Sequence, residues 1–250
     1  MRDAVPWIRH YPSDTPPATP WTVLFFPHSG ASSGSYRDLA THLSATAATA
    51  CVHYPGRGDR TGEPSFQDVH HLADAVADAF AAAASGPVLF FGHSLGAAVA
   101  YEVALRTDHR DLSLVVSGHP APHRLPETLP TPADEGETAA LVASLNGSDA
   151  RLLTHPVLRR LFLPVVHADL TAHSRYHPTP GPLDLPLTVL TGHADPLTPA
   201  GSTDWSTYTT AGYAHHTVPG GHFFTDTHPG AVVDILLSTM AATRHRSPRG

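Results

Sequence analysis

Five short apolar runs recur along the chain, Thr22 to Phe26, Ala50 to Tyr54, Val88 to Phe91, Leu112 to Val116 and Leu187 to Leu190, with helix-period patterns between most of them. Strands buried on both faces read as continuous apolar runs, and crossover helices separate them when the sheet is parallel. The alternation therefore predicts an α/β fold, with a mostly parallel central sheet and helices on both faces. Between the second and third runs, Val69, Leu72, Val76, Ala79 and Phe80 recur near helical spacing and give one apolar face to pack on the sheet. The stretch Ala97-Ala98-Val99-Ala100-Tyr101 is apolar nearly all round, as a helix covered on several sides requires. Val232, Val233, Leu236, Leu237 and Met240 mark a last amphipathic helix, and the Arg/Ser/Pro tail from Arg244 is expected to fray.

At 250 residues the chain is long enough for one α/β domain and short for two, so a single domain over 1–250 is expected. The segment from about Pro120 to Pro182 breaks the strand–helix rhythm. It is proline-rich at both ends and holds two helical patterns in place of a strand, which reads as an inserted helical lid. Its second pattern carries Val157, Leu158, Leu161, Phe162, Val165 and Val166, a stripe expected to pack on the core or to line an apolar channel. Pro164 lies inside that pattern and is expected to kink or divide the helix.

Composition narrows the function classes. A formal net charge of −7 leaves no electrostatic footprint for nucleic acid or an anionic membrane. Cys51 is the only cysteine, which excludes an intrachain disulfide and a cysteine-based metal framework and suits a buried strand residue. Met1 to Pro6 lacks a basic segment followed by an apolar run, and no stretch approaches the roughly twenty apolar residues that span a bilayer, so a soluble, cytoplasmic protein is expected.

The pentapeptide Gly92-His93-Ser94-Leu95-Gly96 sits between the apolar run ending at Phe91 and the helical pattern from Ala97. A strand-to-helix turn there lifts the serine oxygen clear of the sheet, while glycines two residues either side let the two backbones approach. The same five letters also occur by chance in glycine-rich loops. A serine nucleophile needs a base, and the base needs a group that holds its tautomer. With twenty histidines the count is uninformative, so position must decide. His222 follows Pro219-Gly220-Gly221 after the strand-like Ala214 to Val218, and Asp195 follows the run ending at Leu190. The order Ser94, Asp195, His222 is that of an α/β-hydrolase, and residues beyond strand C-termini converge in a parallel sheet. Asp195 also suits a turn or helix cap, and His222 an exposed loop. One oxyanion donor is expected at the Leu95 N–H and the other in the loop Phe26 to Gly34, whose small residues would equally suit a plain flexible turn. The histidine pairs suggest no metal site: His70-His71 lie on an expected surface helix, and His215-His216 alternate across a strand.

FPHSG at Phe26 to Gly30, YPGRGDR at Tyr54 to Arg60, GHSLG, the FLP and HADL stretches between Phe162 and Leu170, TGHADP and PGGHFF together resemble the type II thioesterases that accompany polyketide synthases and nonribosomal peptide synthetases. The resemblance runs almost end to end. It implies Ser94 as nucleophile, Asp195 as orienting acid, His222 as base, and Ser29 with Leu95 as the oxyanion-hole residues. Ser29 and Ala31 stand where family members commonly have Ala and Gly, and His167 where they usually have Arg. The resemblance further implies hydrolysis of an acyl thioester on the phosphopantetheine arm of an acyl or peptidyl carrier protein, with no metal or dissociable cofactor. Arg57, Arg60, Arg159 and Arg160 are conceivable contacts for an acidic carrier, although an ordinary solvated arginine accounts for each. A monomer is expected, and a terminal thioesterase performing macrocyclisation is disfavoured because the chain opens on its own Met without an upstream carrier domain. An esterase or lipase acting on oxygen esters, and a non-catalytic carrier-binding protein of hydrolase fold, stand as alternatives.

Overall fold

The computed structural model describes residues 6–125, 131–145 and 153–244. Its strands β1 (Ile8–His10), β2 (Thr22–Phe26), β3 (Ala48–Val52), β4 (Val88–His93), β5 (Leu112–Ser117), β6 (Leu187–Gly192) and β7 (Tyr213–Val218) form one sheet in the order β1-β3-β2-β4-β5-β6-β7. Every pair is parallel except β1 on β3, where Ile8 faces Val52. The five predicted runs fall in β2 to β6, and Ala214 to Val218 in β7. β3 ends at Val52, so His53 and Tyr54 lie in the following loop. The sequence reading missed β1: three residues, two of them polar, are too few to display a period.

Alternation along the strands divides the core in two. Leu24, Phe26, Val52, Phe90, Leu114 and Val189 face α2 (Val69–Ala83) and α3 (Leu95–Leu105). Val23, Phe25, Leu89, Phe91, Val115 and Leu190 face α1 (Arg37–Leu43) and the last long helix (Pro229–Arg244). Successive strand side chains point to opposite faces, so continuous apolar runs supply both layers. α2 buries Val69, Leu72, Val76 and Phe80 as its spacing predicted, and Asp68 caps it by accepting the His71 N–H. Every residue of α3 from Leu95 to Ala104 is buried.

Between β5 and β6 lie α4 (Glu135–Ser144) and α5 (Pro156–Ser174), helices where the sequence predicted them. The stripe on α5 differs from expectation. Val157, Leu158 and Leu161 are exposed, Leu161 by 65%. Of the stripe Val166 alone is fully buried, and it shares the buried face with Leu163, Asp169, Ala172 and His173, because only the later turns of α5 lie over the body of the protein. Pro164 does not divide α5, which runs unbroken through it; the proline is on the exposed side, where water can take the carbonyl it leaves unbonded. The helix from Pro229 is α6, preceded by a single turn at Phe224–Thr227. The tail beyond Arg244, expected to fray, lies outside the described residues. No helix among the described residues is long and apolar enough to cross a membrane.

Candidate active site

β2 and β4 are neighbours, yet the chain leaves β2 toward β3 on one side and continues from β4 toward β5 on the other. At such a switch point the loops beyond the strand C-termini part and leave a crevice. Ser94 is the single residue between β4 and α3, with φ 54° and ψ −125°, and among the described residues it is the one non-glycine at positive φ. Strain of that kind costs on the order of 1–3 kcal/mol and persists only where surroundings enforce it. Here the Ser94 N–H donates to Ser117 O at 2.8 Å and the Ala97 N–H to Ser94 O at 2.8 Å. A Cβ on Gly92 would overlap the Gly96 carbonyl, and one on Gly96 would overlap the Phe26 carbonyl oxygen, so neither flank of the turn has room for a side chain.

Asp195 and His222 stand on the loops after β6 and β7, which are tied together by His193 N–H to Val218 O and Ala194 N–H to Gly220 O, both 2.9 Å. His222 Nδ1 lies 2.9 Å from Asp195 Oδ2, and both side chains are buried. A carboxylate only accepts, so Nδ1 carries the proton and Nε2 is left with a lone pair. Asp195 Oδ1 accepts the Leu197 N–H at 2.9 Å; a turn role accounts for that oxygen and not for the other. His222 is 2% exposed, unlike a free loop histidine. Ser94, His222 and Ser29 line one cavity of about 50 Å³, walled in part by apolar side chains that include Leu141 and Val142 from α4 and Val166 from α5. Ser29 Oγ is buried there without a hydrogen-bond partner. Leu95 opens α3, so its N–H has no acceptor within the helix.

Sequence reasoning missed what holds the loop after β2. Gly30, at φ 80°, donates its N–H to Asp169 Oδ2 at 2.8 Å, and Asp169 is gripped by Arg57 through Nη1 at 2.5 Å and Nη2 at 2.7 Å. Asp169 and Arg57 are both buried. Phe162 and Val166 occupy the space a Gly30 side chain would need, so α5, the Ser29-Gly30 loop and the YPGRGDR loop lock at one point. Arg57 is therefore neither a carrier contact nor a solvated arginine. Nor is Arg60, which pairs with Glu63, donates to His53 O and stacks on Trp7. Arg159 and Arg160 are exposed. His167 joins α5 to α4, its Nδ1 2.9 Å from Thr138 Oγ1. The YPGRGDR and HADL segments of the resemblance hold the two residues; what the letters lacked was that one grips the other.

His93 was also missed. Its ring lies 5.0 Å from that of His222, and its Nδ1 is 3.0 Å from Ser117 Oγ. Burial, reinforced by the neighbouring histidines His222, His28 and His119, pushes His93 well below the usual imidazole range, so the wall behind His222 is neutral.

The Thioesterase domain family model matches residues 22–240. The chain is 34% identical over 236 residues to a probable cadicidin biosynthesis thioesterase of Streptomyces griseus, a match covering 92% of this chain and 64% of that protein. It is 32% identical over 245 residues to the thioesterase PikA5 of Streptomyces venezuelae, covering 95% and 86% respectively. The type II thioesterase BorB from the borrelidin biosynthetic cluster superposes with a TM-score of 0.82 at 34% identity, over 94% of this chain and 97% of that one. With this fold and these relatives, the chain belongs to the thioesterase family, among the type II thioesterases of polyketide and nonribosomal peptide pathways.

Proposed function

We propose that this protein hydrolyses acyl thioesters presented on the phosphopantetheine arm of an acyl or peptidyl carrier protein, through an acyl-enzyme on Ser94. The observation that carries the reading is the 2.9 Å bond from His222 to Asp195, in a residue that lines the same cavity as Ser94. Ser94 Oγ attacks the thioester carbonyl carbon while His222 Nε2 takes its proton. The tetrahedral oxyanion accepts hydrogen bonds from the Leu95 N–H and from Ser29, beside the positive end of α3. The C–S bond then breaks, and the proton on His222 leaves with the pantetheine sulfur. Water, deprotonated by His222, attacks the acyl-serine; the released acid departs and Ser94 recovers its proton. Asp195 keeps the histidine in the required tautomer and offsets its transient charge. Chemistry written this way draws on no metal or dissociable cofactor, and the prosthetic arm arrives with the carrier.

Release of acyl groups from a loaded carrier, followed by intact-protein mass spectrometry, tests the reading. Wild type should clear the carrier, and Ser94→Ala should slow release by at least about a thousandfold. Equal release by Ser94→Ala would end the serine mechanism. A strong preference for oxygen esters over acyl-carriers would identify an esterase, and intact carrier binding with no labelling of Ser94 by a covalent serine probe would identify a binding protein.

A further inference from the structure

Beyond the catalytic groups, α5 offers the cavity two polar side chains, His173 and Ser174. Their bonding partners fix where their protons are. His119 Nδ1 lies 2.7 Å from the Pro120 carbonyl oxygen, which can only accept, so Nδ1 carries the proton. His119 is buried and pushed down to about 4, hence neutral, and its Nε2 is a bare lone pair. That nitrogen is 3.0 Å from His173 Nε2, which must therefore donate. Burial, with His119 beside it, also keeps His173 neutral, so its Nδ1 is left as an acceptor, and among the described residues nothing donates to it. The Ser174 hydroxyl gives its proton to Thr171 O at 2.9 Å. Each of the two groups has spent its donor elsewhere, so what either can offer a ligand in the cavity is an acceptor.

An acyl chain that fills the space among Leu141, Val142, Leu197 and Phe223 shuts water away from these acceptors, which is costly unless the chain brings a donor of its own. The cavity, about 50 Å³, has room for about three or four water-sized groups. We propose that His173 and Ser174 form a subsite selecting short acyl groups that bear a hydroxyl, its O–H donating to His173 Nδ1. His119 is the positioning residue that fixes which nitrogen of His173 is free to accept. The proposal rests on the thioesterase reading above and names its substrate class.

The test compares four-carbon thioesters of N-acetylcysteamine: butyryl, 3-hydroxybutyryl, 4-hydroxybutyryl and 3-oxobutyryl. The ketone is polar and nearly isosteric but donates nothing. For wild type, kcat/KM for at least one hydroxyacyl substrate should exceed both butyryl and 3-oxobutyryl by about tenfold or more. Within each variant the hydroxyacyl-to-butyryl ratio is read, so a general loss of activity cancels. His173→Leu should bring the ratio near one, His173→Gln should restore part of it through its amide oxygen, and His119→Phe should lower it by releasing the His173 proton. Equal constants for hydroxyacyl and butyryl substrates in wild type overturn the subsite whatever the variants do, and a ratio that survives His173→Leu overturns its assignment to His173. Wild type that cleaves none of the four thioesters and releases none of the same acyl groups from a loaded carrier refutes the thioesterase reading, and the subsite falls with it; release from the carrier alone keeps that reading, and equal release of hydroxyacyl and butyryl groups there overturns the subsite.

Discussion

Ser94 is held at a backbone geometry that a serine adopts only under constraint, and the constraint is local: two backbone hydrogen bonds and two glycines without room for side chains. Under the proposed mechanism, function and stability therefore oppose each other at this residue. Ser94→Gly relieves a strain of about 1–3 kcal/mol while adding the chain entropy of a glycine, about 0.5–1 kcal/mol. Urea unfolding should show Ser94→Gly more stable than wild type by roughly 1 kcal/mol, with hydrolysis lost; a less stable variant would mean that the turn is not strained. At this scale the sequence was legible where position alone decides. Ser94, Asp195 and His222 each follow a strand, and the structure sets Ser94 and His222 on one cavity with Asp195 bonded to His222. Arg57 with Asp169, 112 residues apart, and His119 with His173, 54 apart, were not legible, because neither pairing leaves a local pattern and twenty histidines offer no means of choosing two.

α5 does two jobs with two faces. Its later turns bring Val166, Asp169 and His173 onto the body, and Asp169 carries the Gly30 N–H and the Arg57 fork together. Removing one partner of a buried pair leaves an uncompensated charge, so Arg57→Ala should cost about 3–5 kcal/mol in chemical denaturation. It should also lower kcat/KM on a small thioester, since Gly30 adjoins Ser29. A loss below about 1 kcal/mol would mean that Asp169 is satisfied without Arg57. The first turns of α5 instead carry exposed Arg159 and Arg160 beside exposed Val157, Leu158 and Leu161. Reversing both charges, Arg159→Glu with Arg160→Glu, should raise KM for an acidic acyl-carrier severalfold and leave a small thioester unaffected. An unchanged carrier KM removes this turn from the docking surface. The sequence foretold α5 as a helix but not which stripe it buries: its apolar residues cover more than one face, and the body it meets begins only near Phe162.

Across the whole molecule the mostly parallel sheet gathers Ser29, Ser94, Asp195 and His222 beyond the C-termini of its strands, and the same crowding buries neutral histidines around them. That follows from apolar runs and loops already visible in the sequence, whereas the protonation of the buried rings needs the packing. His93, His119 and His173 are all held below the usual imidazole range, chiefly by burial. In the unfolded chain each titrates near 6.5, while folded His119 titrates at about 4. As pH falls through that window the unfolded chain takes up protons that the folded chain refuses, so stability present above about 6.5 is progressively lost. For His119 alone the loss between pH 7 and pH 5 is on the order of 2 kcal/mol. Glu102 acts in the same direction but later. Burial raises it, and hydrogen bonds from Thr179, Tyr176 and Arg106 outweigh burial, so its contribution fades only as pH falls through the depressed carboxylate range. Unfolding free energies measured in urea should therefore decline from pH 7 to pH 5, before carboxylates titrate. In a His119→Phe/His173→Leu double variant that limb should flatten, while the steeper loss at lower pH remains. A wild-type slope retained in the double variant would place the acid sensitivity elsewhere.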